Sequence, residues 1–129
     1  MRKEHLLVVD DEAHIRTSLL LLLRDAGFQV TIAQNGLEAL SVLSRVQKSS
    51  EPVVLILTDL RMPGLDGFGL IDELRRRQLT VPVVIITAYK NDHQTAELSK
   101  RGCFELIEKP YDPCELLERI EAVLRNQHL

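Results

Sequence analysis

Val53-Val54-Leu55-Ile56-Leu57 is an aliphatic run with no polar interruption, and it passes through Thr58 directly into Asp59. A strand that is apolar on both faces needs cover on both faces, which places it inside a parallel sheet rather than at a wetted surface. Leu6–Val9 reads the same way and ends at Asp10-Asp11. So does Val81–Thr87, despite Pro82 at its entry. Further strands are expected at Phe28–Ala33 and at 104–108. Amphipathic stretches separate these runs, and that alternation predicts βα units with helices on both sides of the sheet.

The helices are expected at Glu12–Asp25, with Gly27 at the C-terminus, and at Leu37 to Gln47 after an Asn35-Gly36 turn. A third follows the loop 62–67 and ends near Arg77, and a fourth, weakly apolar, spans Asn91–Arg101. The fifth starts at an Asp112 cap with Pro113 in the first helical position and Glu115 three residues after the cap. Its stripe is Leu116, Leu117, Ile120, Val123 and Leu124. Five βα units in 129 residues make one domain, 1–129, with a core of about 5–125. Residues 126–129 read as a frayed tail or the start of a linker.

A formal charge of −3 gives no general attraction to nucleic acid or to an anionic membrane. The longest apolar run, Leu19–Leu23, is far short of a membrane span, and Met1 to His5 holds no hydrophobic signal region. Cys103 and Cys114 are too few for a disulfide framework and read as reduced thiols of a cytoplasmic protein.

The carboxyl ends of strands in an open parallel sheet line one crevice, where ligands sit. Asp10, Asp11, Asp59, Thr87 and Lys109 all fall at such ends. Neighbouring carboxylates repel unless a cation or proton resolves them, and Mg²⁺ takes oxygen ligands while keeping several waters. An Asp-Asp pair can equally be an acidic turn capping the next helix. Asp59 is harder to explain by stability; it reads as a third ligand or as a nucleophile that takes a phosphoryl group. Thr87 offers a hydroxyl and Lys109 a point positive charge to phosphoryl oxygens.

Val-Val-Asp10-Asp11-Glu, Thr-Asp59-Leu-Arg-Met62-Pro63-Gly-Leu-Asp66-Gly67, Ile-Ile-Thr87-Ala88 and Glu-Lys109-Pro110-Tyr together resemble the receiver domains of bacterial two-component response regulators. The resemblance spans nearly the whole chain. It implies a flavodoxin-like, doubly wound α/β fold, (βα)5, with a five-stranded parallel sheet in order 2-1-3-4-5. It implies Asp59 as phosphoacceptor, with Asp11, Asp59 and the Arg61 backbone carbonyl on Mg²⁺ and Asp10 acting mostly through a bound water. Thr87 and Lys109 would contact the phosphoryl group, and Lys109–Pro110 would be a cis peptide. The donor would be a phosphohistidine on a sensor histidine kinase or a histidine phosphotransfer protein. The output would be a switched surface around the fourth helix, fifth strand and fifth helix, read by a downstream protein or fused output domain.

Leu106 stands three residues before Lys109, where receivers often carry Tyr or Phe. The threonine half of the usual switch is present and the aromatic half is missing, which leaves a shift of the fourth helix to carry the signal. Arg61 and Tyr89, each two residues beyond a site residue, are expected to obstruct the attacking water and lengthen the phosphorylated lifetime. Phe104 and Tyr111 read as packing residues.

On a helical wheel Ile15, Leu19, Leu22, Leu23 and Ala26 share a face, which turns Leu20 and Leu21 outward as candidates for a partner surface. His5, His14, His93 and His128 lack metal-ligand spacing and read as solvated. Arg75-Arg76-Arg77 complements a helix dipole. Glu105 and Arg119 fall where one receiver class makes charged dimer contacts, a candidate homodimer face. An aspartyl phosphatase would need Asp-x-Asp where this chain has Asp10-Asp11-Glu12, and a flavin module would need a phosphate loop after Val9. A receiver-like module that takes no phosphate would not need the full set. The chain reads as a phosphorylation switch without turnover of external substrates.

Overall fold

The computed structural model describes residues 4–126. It runs β1 (His5–Val9), α1 (Ala13–Asp25), β2 (Gln29–Ala33), α2 (Gly36–Val46), β3 (Val53–Asp59), α3 (Gly67–Arg76), β4 (Val83–Thr87), α4 (Asp92–Lys100), β5 (Glu105–Glu108) and α5 (Pro113–Asn126). The five strands form one parallel sheet in the order β2-β1-β3-β4-β5, a flavodoxin-like α/β fold. Of the expected tail at 126–129, Asn126 closes α5, while 127–129, His128 among them, and the first three residues lie outside the described residues. Among the described residues, no helix is long and apolar enough to cross a membrane.

Alternation along each strand divides the core in two. Leu6, Val8, Leu55, Leu57, Val84, Ile86 and Ile107 pack with Leu19 and Leu23 of α1 and with Leu116, Ile120, Val123 and Leu124 of α5. On the other face, Leu7, Val9, Ile56, Ile85 and Leu106 pack with α2, α3 and Leu98 of α4. The unbroken apolarity of β1, β3 and β4 is thus the signature of a sheet covered twice. α4 holds on least: Gln94 and Leu98 are its only buried residues, and Ala96 is exposed.

Local chemistry sets the ends. Asn35, Asp66, Asn91 and Asp112 place side-chain oxygens on the first-turn N–H groups of α2, α3, α4 and α5. Gly27 adopts φ +99° after α1, where a side chain would be strained.

Three expectations change. β4 begins at Val83 rather than Val81, because Pro82 has no N–H for the ladder, although its carbonyl still accepts from Ile56 N at 2.9 Å. Leu20 of α1 is partly buried against the core instead of facing away, so the apolar stripe is wider than the wheel suggested, while Leu21 is 57 % exposed. His5 is buried, with Nδ1 2.8 Å from the Glu51 carbonyl oxygen and Nε2 2.7 Å from Thr31 Oγ1. Within the chain, Glu105 lies 3.4 Å from Arg119, and Arg76 and Arg77 both pair with Glu73.

Candidate functional site

Asp10 follows β1 and is still held by it, its N–H donating to the Ala33 carbonyl at 3.2 Å. Its buried carboxylate accepts from Glu12 N at 2.9 Å. Asp11, the next residue, faces solvent. Asp59 closes β3 beside Ile86 of β4, and its Oδ1 faces the Arg61 N–H at 3.4 Å. One oxygen from each of Asp10, Asp11 and Asp59 falls within 4.8 Å of the others.

Lys109 comes from beyond β5. Its main-chain N–H donates to the Thr87 carbonyl at 2.8 Å, and the Lys109–Pro110 peptide is cis. The ammonium lies 3.6 Å from Asp59 Oδ2 and 3.8 Å from Asp10 Oδ2. Thr87, buried at the end of β4, donates its hydroxyl to the Tyr89 carbonyl at 3.3 Å. Burial pushes the Asp10 carboxyl above its ordinary range; the Asp59 and Asp11 charges add to this, and the Glu12 N–H and Lys109 oppose it. Three converging carboxylates, one of them open to water, form the oxygen-rich set that Mg²⁺ takes.

The five residues expected at strand ends therefore meet in one place. Three more participate that the sequence did not single out for it. Arg16, from α1, donates to the Asp10 carbonyl oxygen at 2.7 Å. Tyr111 lines the site with Val9, Ile15, Leu57 and Ile86; burial raises its phenol, and the charge of Asp10 adds to this. Gln94 is buried on α4 between the Tyr89 carbonyl and the Arg61 guanidinium; the amide orientation that satisfies both neighbours turns its nitrogen to the Tyr89 carbonyl, 2.7 Å away, and its oxygen to Arg61 Nη2, 3.1 Å away. Tyr111 carried a signal in its place after Lys109-Pro110. The other two carried none: Arg16 reaches back six residues to a main-chain oxygen, and Gln94 meets Arg61 only through the fold.

The side chains of the expected gatekeepers differ in setting. The Arg61 guanidinium is engaged by Gln94, while the Tyr89 side chain is 67 % exposed. Phe104, read as packing, is half exposed. Leu106 is buried and, with Leu98, Cys103 and Phe104, lines a groove of about 200 Å³ between α4 and β5.

The family model described as "Response regulator receiver domain" matches residues 6–121. A relative from Porphyridium aerugineum, "Probable transcriptional regulator ycf27", is 40% identical over 126 residues, covering 98% of this chain and 50% of the relative. "Transcriptional regulatory protein FixJ" of Bradyrhizobium diazoefficiens is 36% identical over 127 residues, covering 96% and 58%. The chain thus spans about half the length of these curated relatives. Among solved structures, the Vibrio cholerae chemotaxis protein CheY4 superposes with a TM-score of 0.83 at 28% identity, covering 95% of this chain and 99% of that one.

Proposed function

The chain belongs to the response regulator receiver domain family, and from that membership we propose that Asp59 takes a phosphoryl group from a phosphohistidine. The donor is a sensor histidine kinase or a histidine phosphotransfer protein. The observation that carries this reading is the convergence of Asp10, Asp11 and Asp59 oxygens within 4.8 Å, with the Lys109 ammonium 3.6 Å from Asp59. The set fits Mg²⁺, held by Asp11, Asp59 and the Arg61 carbonyl, with Asp10 acting through water. Bound there, Mg²⁺ supplies neutralisation of phosphoryl charge.

The residues divide the work. An Asp59 oxygen attacks phosphorus and forms an acyl phosphate; the P–N bond breaks, and its electron pair returns to the donor nitrogen, which takes up a proton. Lys109 meets the charge spread over the transferring oxygens, where positioning and electrostatics carry most of such a reaction. The Thr87 hydroxyl, released from the Tyr89 carbonyl, turns to a phosphoryl oxygen. Water later attacks phosphorus, which frees inorganic phosphate and restores the Asp59 carboxylate. The product of signalling is a changed contact surface around α4, β5 and α5, read in the cytoplasm by a downstream protein or a fused output domain.

Intact-mass analysis with acetyl phosphate, with and without Mg²⁺, tests the assignment beside Asp59→Asn. One phosphoryl increment that needs Mg²⁺ and is lost in the variant is the expected result. An increment retained by Asp59→Asn moves the phosphoacceptor elsewhere. If the parent stays unmodified by acetyl phosphate and also by a phosphohistidine donor, the reading fails.

A further inference from the structure

With Leu106 in place of an aromatic ring, the route from Asp59 to α4 must run through other side chains, and the structure contains a polar one. The Arg61 N–H faces Asp59 Oδ1 at 3.4 Å. The guanidinium of the same residue reaches away to the Gln94 amide oxygen at 3.1 Å, and the Gln94 amide nitrogen holds the Tyr89 carbonyl at 2.7 Å. That carbonyl also accepts from the Thr87 hydroxyl, at 3.3 Å. The chain of contacts thus runs from Asp59 through Arg61, Gln94 and Tyr89 to Thr87, at the end of the next strand.

We propose that Gln94 is the relay between the acidic site and α4: it holds Arg61 and Tyr89 in the resting domain and gives up both when Asp59 carries a phosphoryl group. The inference rests on the phosphorylation of Asp59 proposed above. A phosphoryl group offers the Arg61 guanidinium an anionic, bidentate partner, stronger than a neutral amide oxygen. It also draws the Thr87 hydroxyl away from the Tyr89 carbonyl, so the loop that Gln94 grips loses its second anchor. A buried amide that loses its partners must find others or move. Gln94 is poorly placed to resist, since Leu98 is the only buried apolar side chain of α4. Gln94 also sits at the start of that helix, its N–H capped by Asn91 Oδ1 at 2.8 Å, so a displaced side chain pulls on the first turn.

Gln94 is thereby a positioning residue for Arg61, and a double-variant cycle separates this from a packing role. Initial phosphorylation rates with acetyl phosphate and Mg²⁺ would be measured by intact mass in the parent, Gln94→Met, Arg61→Met and the double variant. Deuterium uptake of α4 would be read in the same samples. Gln94→Met keeps the volume and removes both hydrogen bonds, freeing Arg61 to meet the incoming donor. It should phosphorylate about threefold to tenfold faster than the parent, the effect of one hydrogen bond expressed as a rate. The gain should vanish in the Arg61→Met background. Uptake by α4 in unphosphorylated Gln94→Met should match that of the phosphorylated parent. Gln94→Glu, whose carboxylate holds the Arg61 guanidinium more tightly than the amide does, should phosphorylate more slowly than the parent. A Gln94→Met effect undiminished without Arg61 overturns the relay, as does a Gln94→Met rate that merely equals the parent's. A parent that takes no phosphoryl group from acetyl phosphate or a phosphohistidine donor overturns the underlying reading, and this one with it.

Discussion

Replacing Asp10 by Asn should stabilise the metal-free protein while weakening its hold on Mg²⁺. The residue is 3 % exposed, and Asn retains the Oδ1 acceptor that Glu12 N uses at 2.9 Å. What disappears is a charge that burial, and then the neighbouring carboxylates, make costly. At an effective dielectric constant of about 20, repulsion between two carboxylates at the 4.8 Å limit is about 3.5 kcal/mol. The attraction of Lys109 at 3.8 Å is about 4.4 kcal/mol on the same scale. Asp11 is open to solvent, which screens its share. Repulsion from Asp59 and attraction to Lys109 then nearly cancel, and the burial cost of the charge remains. That residue is expected to appear as a gain of about 1–2 kcal/mol near pH 7, a fraction of the several kcal/mol for an unrelieved buried ion.

The pH dependence fixes the sign. The folded Asp10 carboxyl is raised above its ordinary value, so its contribution to stability is fully present below that value and is lost as pH rises through the folded one. The advantage of Asn is therefore greatest at neutral pH and fades as pH falls toward about 4. Urea unfolding followed by far-ultraviolet circular dichroism, in chelator and in Mg²⁺, would measure both effects. Mg²⁺ should lift the parent more than the variant. A variant no more stable than the parent in chelator at neutral pH would refute the argument, and so would a gain that persists unchanged at acid pH.

Gly36→Ala would place a Cβ 2.5 Å from the Leu65 carbonyl oxygen and 2.9 Å from Leu65 Cβ. Chemical denaturation should show a loss of about 1–3 kcal/mol, and no loss would mean that the loop before α3 yields freely. Cys114 is exposed, whereas burial pushes the Cys103 thiol up. Iodoacetamide at mildly alkaline pH should therefore label Cys114 well before Cys103 by peptide mapping, and equal rates would contradict the burial. Asn91→Ala removes the cap on Gln94 N; a loss of about 1 kcal/mol and faster exchange in α4 are expected, and unchanged exchange would show that the cap is dispensable.

The fold was legible because a doubly covered strand leaves a plain mark, an aliphatic run such as Val53–Leu57, and because the Asn35-Gly36 turn and the Asp112 cap announce helix starts. Asp59 was legible for a related reason: a carboxylate directly after such a run is poorly explained by packing. Gln94 was not, since an amide on a polar helix looks solvated until Arg61 and the Tyr89 carbonyl are brought around it. His5 was hidden in the same way, its partners being set by the fold rather than by spacing. Leu20 and Val81 were misread for local reasons: a stripe wider than one wheel face, and a proline without an N–H.

The His5 clamp bears on how a domain of this kind diversifies. One imidazole joins the entry of β1 to a hydroxyl on β2 and to a carbonyl just ahead of β3, beside the point where the β1–β3 register shifts between His5 and Leu6. A slip of one residue would turn every side chain of a strand to the opposite face. Register is thus secured at the end of the sheet opposite the acidic cluster, leaving the loops that carry Arg61 and Tyr89 without that duty. Substitutions there should leave amide protection in β1 and β2 unchanged. Heritable variation can then accumulate at one end of the molecule, retuning how long and how strongly it responds, while the other end keeps the chain threaded.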